Sequence, residues 1–503
     1  MVLFKPHSKK TSNDENKQQK PLKDIMQQAC KSSDFHQFSP VGKIQISYYK
    51  SQINEDKINR YLIPQLQKNI ESINKLDDIK NIIPFDDVKI TNDTRNVETN
   101  LIKGFVIIQL KNIENDFILV NVNNGQMGHR LNNDTENEFS VVGPKVGFVE
   151  NIDINIHLLR QQVAVTKLII EEIKIGTVSN TRVAIAYLDG VTNPRQIETV
   201  KQRLNNINLD VVFDSSLLDQ IISDNSNTMF PLLLSSERID RVTYAILMGQ
   251  VAVLSDGSPY VISGPSTILD FFISPEDYFL PWIIGSFFRI ARICSVFFSI
   301  FATSLYVAVL TYHFEVIPEK LLEPLVMSRA NVPFPPVMEV IFLEITIELL
   351  REAGARLPAK IGQTLGIVGG IVIGQATVEA ALTSSILLII VALSALASFT
   401  TPIFKMANTI RVLRFPFIFL ASVWGGLGII AGVLLLMGHL LRLKSLGTPY
   451  LVPLFPFRMG NFADSIIRSS FLYTNKRNTS LKPMSLKRYE PSKDKEDINH
   501  EES

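Results

Sequence analysis

The residues best spaced for chemistry are four glycines and the side chains that alternate with them in one uncharged stretch. Residues 361–375 read IGQTLGIVGGIVIGQ. On a helix that turns about 100° per residue, the glycines form one bare flank that a neighbouring helix can approach closely in a membrane. This packing flank consists of Gly362, Gly366, Gly370 and Gly374.

The other flank of the same helix carries residues suited to lining a passage for ions. Its members are Thr364, Val368, Ile371 and Gln375. They lie within about 60° of one another, polar at both ends and branched-apolar in the middle. In a ring of such helices, Val368 and Ile371 would form a dewetting constriction. A buried packing helix explains the same spacing, and both interpretations stay open.

Acidic side chains on the preceding apolar segment indicate a second functional surface. Residues 337–357 contain Glu339, Glu344, Glu348 and Glu352. The last three share one helical face with Arg351, so we predict an amphipathic helix at an interface or lining water. Glu339 falls among apolar positions and needs a partner or a water-filled cavity. The stripe is either a solvated helix face or a vestibule that attracts cations.

Other kinds of chemistry have no support in the sequence. It lacks a phosphate-binding loop, paired cysteines or histidines at metal spacing, and a nucleophile beside a base. We therefore expect no catalytic residues, no metal and no cofactor. The formal net charge of +1 comes without any nucleic-acid-binding signature, so we expect no nucleic-acid partner. Cys30 and Cys294 are too far apart in sequence and setting to suggest a disulfide framework.

Composition divides the chain into a polar and an apolar part. The first 280 residues are rich in Asn, Asp, Lys and Gln, and most long uncharged runs follow Pro281. We predict a cytoplasmic α/β N-terminal region of two small subdomains, followed by a multi-span α-helical membrane domain. The predicted units are a disordered polar tail (1–40), subdomain 1 (41–140), subdomain 2 (141–280), the transmembrane domain (281–445) and a cytoplasmic C-terminal tail with a disordered end (446–503).

Hydrophobic periodicity predicts the elements of the soluble part. The expected helices cover residues 56–76, 155–173 and 194–207. The expected strands cover residues 104–110, 117–122, 182–188 and 210–213, and residues 250–254 and 260–262 form a hairpin around Asp256-Gly257.

Four apolar runs are candidates to cross a membrane, at residues 293–312, 361–378, 380–404 and 415–441. Arg289 and Arg292 precede the first run, and residues 442–488 are strongly basic, which places both flanks in the cytoplasm. An even number of crossings follows, but the count stays between four and six.

Long motifs along residues 143–456 closely resemble the A subunit of the GerA-type spore germination receptors. They include the glycine helix and residues 143–160 (GPKVGFVENIDINIHLLR), 187–193 (YLDGVTN), 255–260 (SDGSPY), 274–279 (SPEDYF), 350–358 (LREAGARLP) and 447–456 (GTPYLVPLFP).

The resemblance implies a multi-pass protein of the spore inner membrane. Its implied partners are a transporter-like B subunit that senses the nutrient, a lipoprotein C subunit, membrane lipid and further copies of the same chain. The implied activity is that of a pentameric, nutrient-gated channel that releases monovalent cations and triggers germination. Two alternatives stay open: an accessory paralogue of the type encoded with the SpoVA proteins, and a non-conducting membrane scaffold for receptor assembly.

Overall fold

A computed structural model describes residues 21–73, 75–111, 116–123, 138, 142–457, 462, 464–470 and 474–489; for residues 359–368 it describes the backbone alone. An α/β region covers residues 22–280, and helices dominate from residue 282 onwards. This confirms the predicted division into an α/β region and a helical region.

The first soluble unit is built on a five-stranded antiparallel sheet in the order β1-β2-β4-β5-β3. Its strands are β1 (Phe35–Val41), β2 (Ile44–Tyr49), β3 (Val88–Thr91), β4 (Phe105–Leu110) and β5 (Phe117–Asn121). Its helices are α1 (Leu22–Cys30), α2 (Glu55–Lys57), α3 (Ile63–Lys68), α4 (Leu76–Ile82) and α5 (Thr94–Ile102). Apolar clusters cover both faces of the sheet, so the unit has its own core.

Two predictions about this unit need correction. Residues 22–40, expected in the disordered tail, form α1 and most of β1, and Ala29 and Phe35 are buried in the core; residues 1–20 lie outside the described part. The single helix expected over residues 56–76 ends early, at Lys68, because the φ and ψ of the next residue, Asn69, are not helical. A π-helical turn covers Ile58–Leu62 within it.

The second soluble unit repeats this plan with the strand order β6-β7-β9-β10-β8. Its strands are β6 (Leu168–Ile175), β7 (Thr181–Leu188), β8 (Leu234–Ser236), β9 (Val251–Ser255) and β10 (Val261–Gly264). Its helices are α6 (Ile152–Gln162), α7 (Pro194–Asn205), α8 (Ser215–Ile222), α9 (Ile239–Met248) and α10 (Glu276–Phe279). The structure confirms the predicted β9–β10 hairpin and the helix that begins after Asn193.

Two further predictions in this unit were wrong. The helix expected over residues 155–173 ends at Gln162, and the apolar run that follows pairs with β7 as an edge strand. Such a run fits a helix or a buried strand equally well by periodicity. Residues 210–213 form no strand, because the Asp210 carbonyl accepts hydrogen bonds from the turn at Val178 and Ser179.

A buried ion pair joins the two soluble units. Arg160 of α6 donates to both carboxylate oxygens of Asp34 at 2.5 Å and to Ser32 Oγ at 2.7 Å. Its guanidinium carbon lies 4.0 Å from the centre of the Tyr49 ring. Burial alone would raise the pKa of Asp34, but Arg160 and the Ser51 and Ser32 hydroxyls outweigh it and hold that pKa below its ordinary value.

The helical region contains α11 (Trp282–Tyr312), α12 (Glu319–Arg329), α13 (Pro336–Arg356), α14 (Ala359–Glu379), α15 (Ser385–Ser398) and α16 (Phe404–Arg442). Within the described residues, α11 and α16 are long and apolar enough to cross a membrane, each with a mean hydropathy of 2.2 over its best 18-residue window. The run expected over residues 380–404 is helical only in α15, because Ala381 has a positive φ and the Ser384 side chain caps a new helix.

α16 is a helical hairpin, whereas the sequence prediction placed one kinked span at residues 415–441. Gly425 has φ 57° and ψ −135°, which breaks the helix. The two arms, residues 404–424 and 426–442, then pack against each other. A Cβ added at Gly432 would lie 2.7 Å from the Phe417 ring. In a straight helix, residues 417 and 432 would be about 22 Å apart, so the chain must reverse between them.

Hydrogen bonds establish the directions of the other helices. In the middle of α11, the Ser299 carbonyl accepts from Ser394 Oγ, late in α15. Near its end, Tyr306 Oη lies 3.1 Å from Ser384 Oγ, just before α15. α15 therefore runs antiparallel to α11, back toward the soluble units.

The remaining helices complete an alternating order. In α13, Glu339 accepts from the Ser384 N–H, at the level of the end of α11. Five residues later, Glu344 accepts from Arg414, which also donates to Ser299 of α11. α13 therefore also runs toward the soluble units. α14 runs away from them, because a side chain at Gly369 would meet Leu350 of α13 and one at Gly374 would meet Leu388 of α15. Six segments thus alternate in direction: α11, α13, α14, α15 and the two arms of α16.

The described part of the C-terminal segment, predicted as a cytoplasmic tail, returns to the soluble units. Tyr450 is fully buried and donates to the Pro231 carbonyl. Arg477 donates to the Leu247 carbonyl, and the Met484 N–H donates to the Val191 carbonyl. Burial, opposed by Arg289, raises the pKa of Asp464, whose carboxylate accepts from the Tyr244 and Tyr278 hydroxyls.

Candidate functional site in the helical region

The glycine-rich helix α14 lies at the side of the helical region and leaves much of its surface open. A side chain at Gly370 would meet no atom within 4 Å, whereas Gly369 and Gly374 face α13 and α15. Gly370 is exposed, and Ile371 is 63% exposed. Gln375 is also exposed and donates to Glu379 at 2.8 Å. The single chain therefore leaves part of the predicted packing flank and the described part of the predicted pore-lining flank uncovered.

Four of the predicted site residues lie where the structure describes the backbone alone. They are Gly362, Thr364, Gly366 and Val368. Their backbone belongs to α14, as predicted. Their side chains lie outside the described part of the chain, so the constriction at Val368 and Ile371 stays a prediction.

The four glutamates of α13 do not share one environment. Glu339 is fully buried and receives a hydrogen bond from Arg329 at 2.8 Å and one from the Ser384 N–H at 3.2 Å. This arrangement supplies the partner that its position among apolar residues required. Glu348 and Glu352 lie on the more exposed part of α13 and pair locally with Arg351 and Arg356.

Glu344 belongs to a buried cluster at the centre of the helical region. Its Oε2 accepts from Arg414 Nη1 at 3.0 Å, and both side chains are only 3% exposed. Arg414 Nη2 also donates to Ser299 Oγ at 2.8 Å and to the Ser394 carbonyl at 3.1 Å. One guanidinium therefore connects the outgoing arm of α16 with α11, α13 and α15. Separating such a pair by removing one partner costs about 3–5 kcal/mol.

Both arms of α16 are also tied to the second soluble unit. On the outgoing arm, Lys405 Nζ pairs with Asp219 at 2.5 Å, and Thr409 Oγ1 donates to the Met229 carbonyl. On the returning arm, His439 Nε2 lies 3.0 Å from Thr228 Oγ1. Thr409 and His439 thus contact adjacent residues of one loop.

Residues 219–229, which comprise the end of α8 and the loop after it, contact α16 directly. Burial raises the pKa of Asp219, although the Lys405 ammonium opposes that rise. Through Arg414, a shift of the outgoing arm reaches α13, and α13 packs against α14. The contacts therefore connect residues 219–229 with α16, and through α13 with α14.

Comparisons with known proteins identify the family. The family model described as "Bacillus/Clostridium GerA spore germination protein" matches residues 20–480. The chain belongs to the GerA family. Similar members are GerQA of Bacillus cereus (47% identical; 89% of this chain, 90% of that protein), GerIA of Bacillus cereus (45%; 93% and 70%) and spore germination protein A1 of Bacillus subtilis strain 168 (39%; 84% and 86%).

A solved structure is similar to part of this chain. The crystal structure of the N-terminal domain of the A subunit of the Bacillus megaterium spore germinant receptor GerK3 is 25% identical, covers 49% of this chain and 94% of that chain, and superposes with a TM-score of 0.37. The predicted resemblance to GerA proteins is confirmed by the sequence matches, and the named relatives are spore germination proteins.

Sequence reasoning on this GerA-family chain missed the arginines that organise its helical region. Arg329 and Arg414 bind the two buried glutamates of α13. The sequence signal for these pairs was a glutamate inside one apolar segment and an arginine inside another, because opposite charges within apolar segments usually pair with each other.

Proposed function

We propose that this chain is the A subunit of a nutrient germinant receptor in the spore inner membrane. Copies of it assemble into a ring, with a pentamer as the expected number, and the ring conducts monovalent cations when nutrient is sensed. The supporting observation is the position of α14, which carries glycines on its surface and contacts few other elements of its own chain. Bare helix flanks of this kind are typical of close helix contacts in membranes.

The pore-lining flank of α14 is proposed to face the axis of the ring. Neighbouring copies would cover Gly370 and its flank, and Ile371 with Val368 would form the constriction. Within the vestibule hypothesis, the exposed Glu348 and Glu352 are better placed to attract cations than Glu339 and Glu344. The latter two are neutralised by arginines inside the bundle.

The proposed membrane topology has six passes. The six alternating segments return the chain to the side of the soluble units, which supports a cytoplasmic position for both the N-terminal region and the C-terminal segment. The outgoing arm of α16 is about 31 Å long and the returning arm about 26 Å, which fits a hydrocarbon core of about 30 Å. The basic residues Arg289, Arg292 and Arg442 then lie on the cytoplasmic side, in agreement with the positive-inside rule.

The proposed partners follow from the family. A transporter-like B subunit would sense the nutrient, and a lipoprotein C subunit would complete the receptor. The segment at residues 219–229 supports a role for the soluble region in gating, because it contacts both arms of α16.

The deciding experiment compares the same substitution at two open positions. A Cβ added at Gly370 on α14, or at Gly438 on the returning arm, would meet no atom within 4 Å. Gly370→Leu therefore creates no clash inside the chain and tests only packing between copies, and Gly438→Leu is its matched control. We expect wild type and Gly438→Leu to run as oligomers on native gels and, when reconstituted with B and C subunits and given nutrient, to release K⁺ from proteoliposomes. Gly370→Leu should run as a monomer, and its proteoliposomes should retain K⁺.

Two results would reject the channel proposal. An oligomer of normal size from Gly370→Leu shows that the glycine flank does not hold the ring together. Absence of cation flux from wild-type oligomers, with and without B and C subunits and nutrient, favours the non-conducting scaffold. Cation flux from wild-type oligomers without B and C subunits would instead indicate an accessory paralogue.

A further inference from the structure

Arg411 is an enclosed cation without a counter-charge among the described residues. It lies on the outgoing arm of α16 and is only 6% exposed. Its Nε is buried and donates no hydrogen bond. Within the described part of the chain, its guanidinium also has no ion pair and no aromatic ring to stack on. A buried charge without a partner is strongly unfavourable.

The other two cations of this arm show what Arg411 lacks. Lys405 pairs with Asp219 at 2.5 Å, and Arg414 pairs with Glu344 at 3.0 Å. Both partners come from this chain. Arg411 lies between them on the same helix, and we expect its counter-charge to come from another molecule.

The depth of Arg411 indicates where that molecule lies. Thr409, two residues earlier, binds the Met229 carbonyl of the second soluble unit. Arg411 is therefore only about 3 Å further along the helix axis. Arg411 is also about 10 Å along the axis from Phe404, so it lies in the cytoplasmic half of the proposed membrane pass, where a long side chain can extend toward the headgroups.

The orientation of Arg411 also points toward lipid. One stripe of the outgoing arm is exposed and apolar; it includes Phe404, Val412, Phe419 and Val423. On a helical wheel, Arg411 lies at the edge of this stripe, about 20° from Phe404. The long side chain of an arginine at such an edge can reach a headgroup while its stem stays packed.

We propose that Arg411 binds a phosphate group, supplied by an anionic phospholipid of the cytoplasmic leaflet. The planar guanidinium can donate two parallel hydrogen bonds to phosphate oxygens, a geometry that lysine cannot reproduce. Bound lipid would then fix the outgoing arm between its contacts with the soluble unit and with α13. Inorganic phosphate has the same chemistry and is the other possible source.

The test measures lipid binding to the full-length chain. Wild type, Arg411→Gln, Arg411→Lys and the control Arg442→Gln are purified in detergent and titrated with phosphatidylglycerol, with phosphatidylcholine and with inorganic phosphate. Arg442 lies exposed at the end of the returning arm, so its substitution removes one cation without touching an enclosed site. Native mass spectrometry counts bound lipid, and the thermal unfolding midpoint reports stabilisation.

We expect wild type and Arg442→Gln to bind phosphatidylglycerol equally and in preference to phosphatidylcholine. Arg411→Gln should bind it about tenfold more weakly, which corresponds to one lost charge-assisted contact. Arg411→Lys should be intermediate. Stabilisation by inorganic phosphate that disappears in Arg411→Gln would identify the free anion as the source. Equal phosphatidylglycerol and phosphate binding by wild type and both Arg411 variants would overturn the proposal.

Discussion

Buried arginines join separate elements in both regions of this protein. Arg160 connects α6 of the second soluble unit with Asp34 and Ser32 of the first. Arg414 does the same for four segments of the helical region. Because each guanidinium offers several donors in a fixed plane, one residue can satisfy acceptors from several elements of the fold. Loss of one partner then leaves a charge that water cannot reach.

The Asp34–Arg160 pair predicts a specific dependence of stability on pH. The folded pKa of Asp34 lies below its ordinary value of 3.8. The contribution of the pair is therefore complete well above that value and is lost as the pH falls through it. Asp34→Asn should lower the free energy of unfolding at pH 7 by about 3–5 kcal/mol, because Arg160 stays buried without a counter-charge.

Chemical denaturation of the full-length chain between pH 7 and pH 3 measures this effect. The difference between wild type and Asp34→Asn should shrink as the pH falls toward 3. Asp189→Asn is the control, since its pair with Lys31 is partly exposed and worth about 0–1 kcal/mol. A constant difference across the whole pH range would contradict the assignment.

At the scale of elements, the hairpin of α16 depends on one glycine. Gly425 combines a positive φ with a position directly against Tyr312, whose Cβ would lie 2.9 Å from an added Cβ. Tyr312 also donates to the Ser422 and Val423 carbonyls at the end of the outgoing arm. The next residue, His313, accepts the Gly426 N–H at 3.2 Å. α11 therefore ends by capping both arms of the hairpin.

Gly425→Ala should destabilise the helical region. The backbone strain alone costs about 1–3 kcal/mol, and the contact with Tyr312 adds to it. Thermal unfolding in detergent should show a lower midpoint for Gly425→Ala. Gly438→Ala, in open space on the returning arm, should equal or slightly exceed wild type, because alanine is the better helix former. Wild-type stability of Gly425→Ala would argue against the hairpin.

At the scale of the whole molecule, the C-terminal segment holds the soluble and helical regions together. Arg468 donates to the Tyr278 carbonyl at 3.1 Å and to the Leu280 carbonyl, directly before α11. Its own carbonyl accepts from Ser286 Oγ at 3.0 Å. Arg289, at 0% exposure, meets both Asp277 and Asp464. The junction at residues 277–289 is thus enclosed by chain from both ends of the sequence.

Arg468→Ala should loosen this junction. We expect faster proteolytic cleavage between residues 273 and 282 and a lower thermal midpoint, because two buried carbonyls lose a charged donor. Lys444→Ala removes an exposed cation on the same side and should leave both measurements unchanged. Equal cleavage rates for the two variants would show that the segment does not support the junction.

The family, the division at residue 280 and the helical character of residues 336–356 could be predicted from the sequence. Composition separates a polar from an apolar region, and α13 covers the segment whose side-chain spacing predicted a helix. The assignment to the family is based on several long motifs that occur in the same order, which makes a chance match very improbable. These features are local, so they need no knowledge of what lies across the fold.

Pairing across the fold was decided by the tertiary structure. The run after Gln162 became a strand because β7 lay beside it, and the span at residues 415–441 became part of a hairpin because Gly425 reversed it. Glu344 is neutralised by Arg414, and Arg411 has no carboxylate beside it among the described residues. Both facts depend on helices that are adjacent in space but not in sequence. Charge, hydrophobic periodicity and sequence motifs are local properties of the chain. The partner of a buried charge instead depends on which elements pack together in the folded protein.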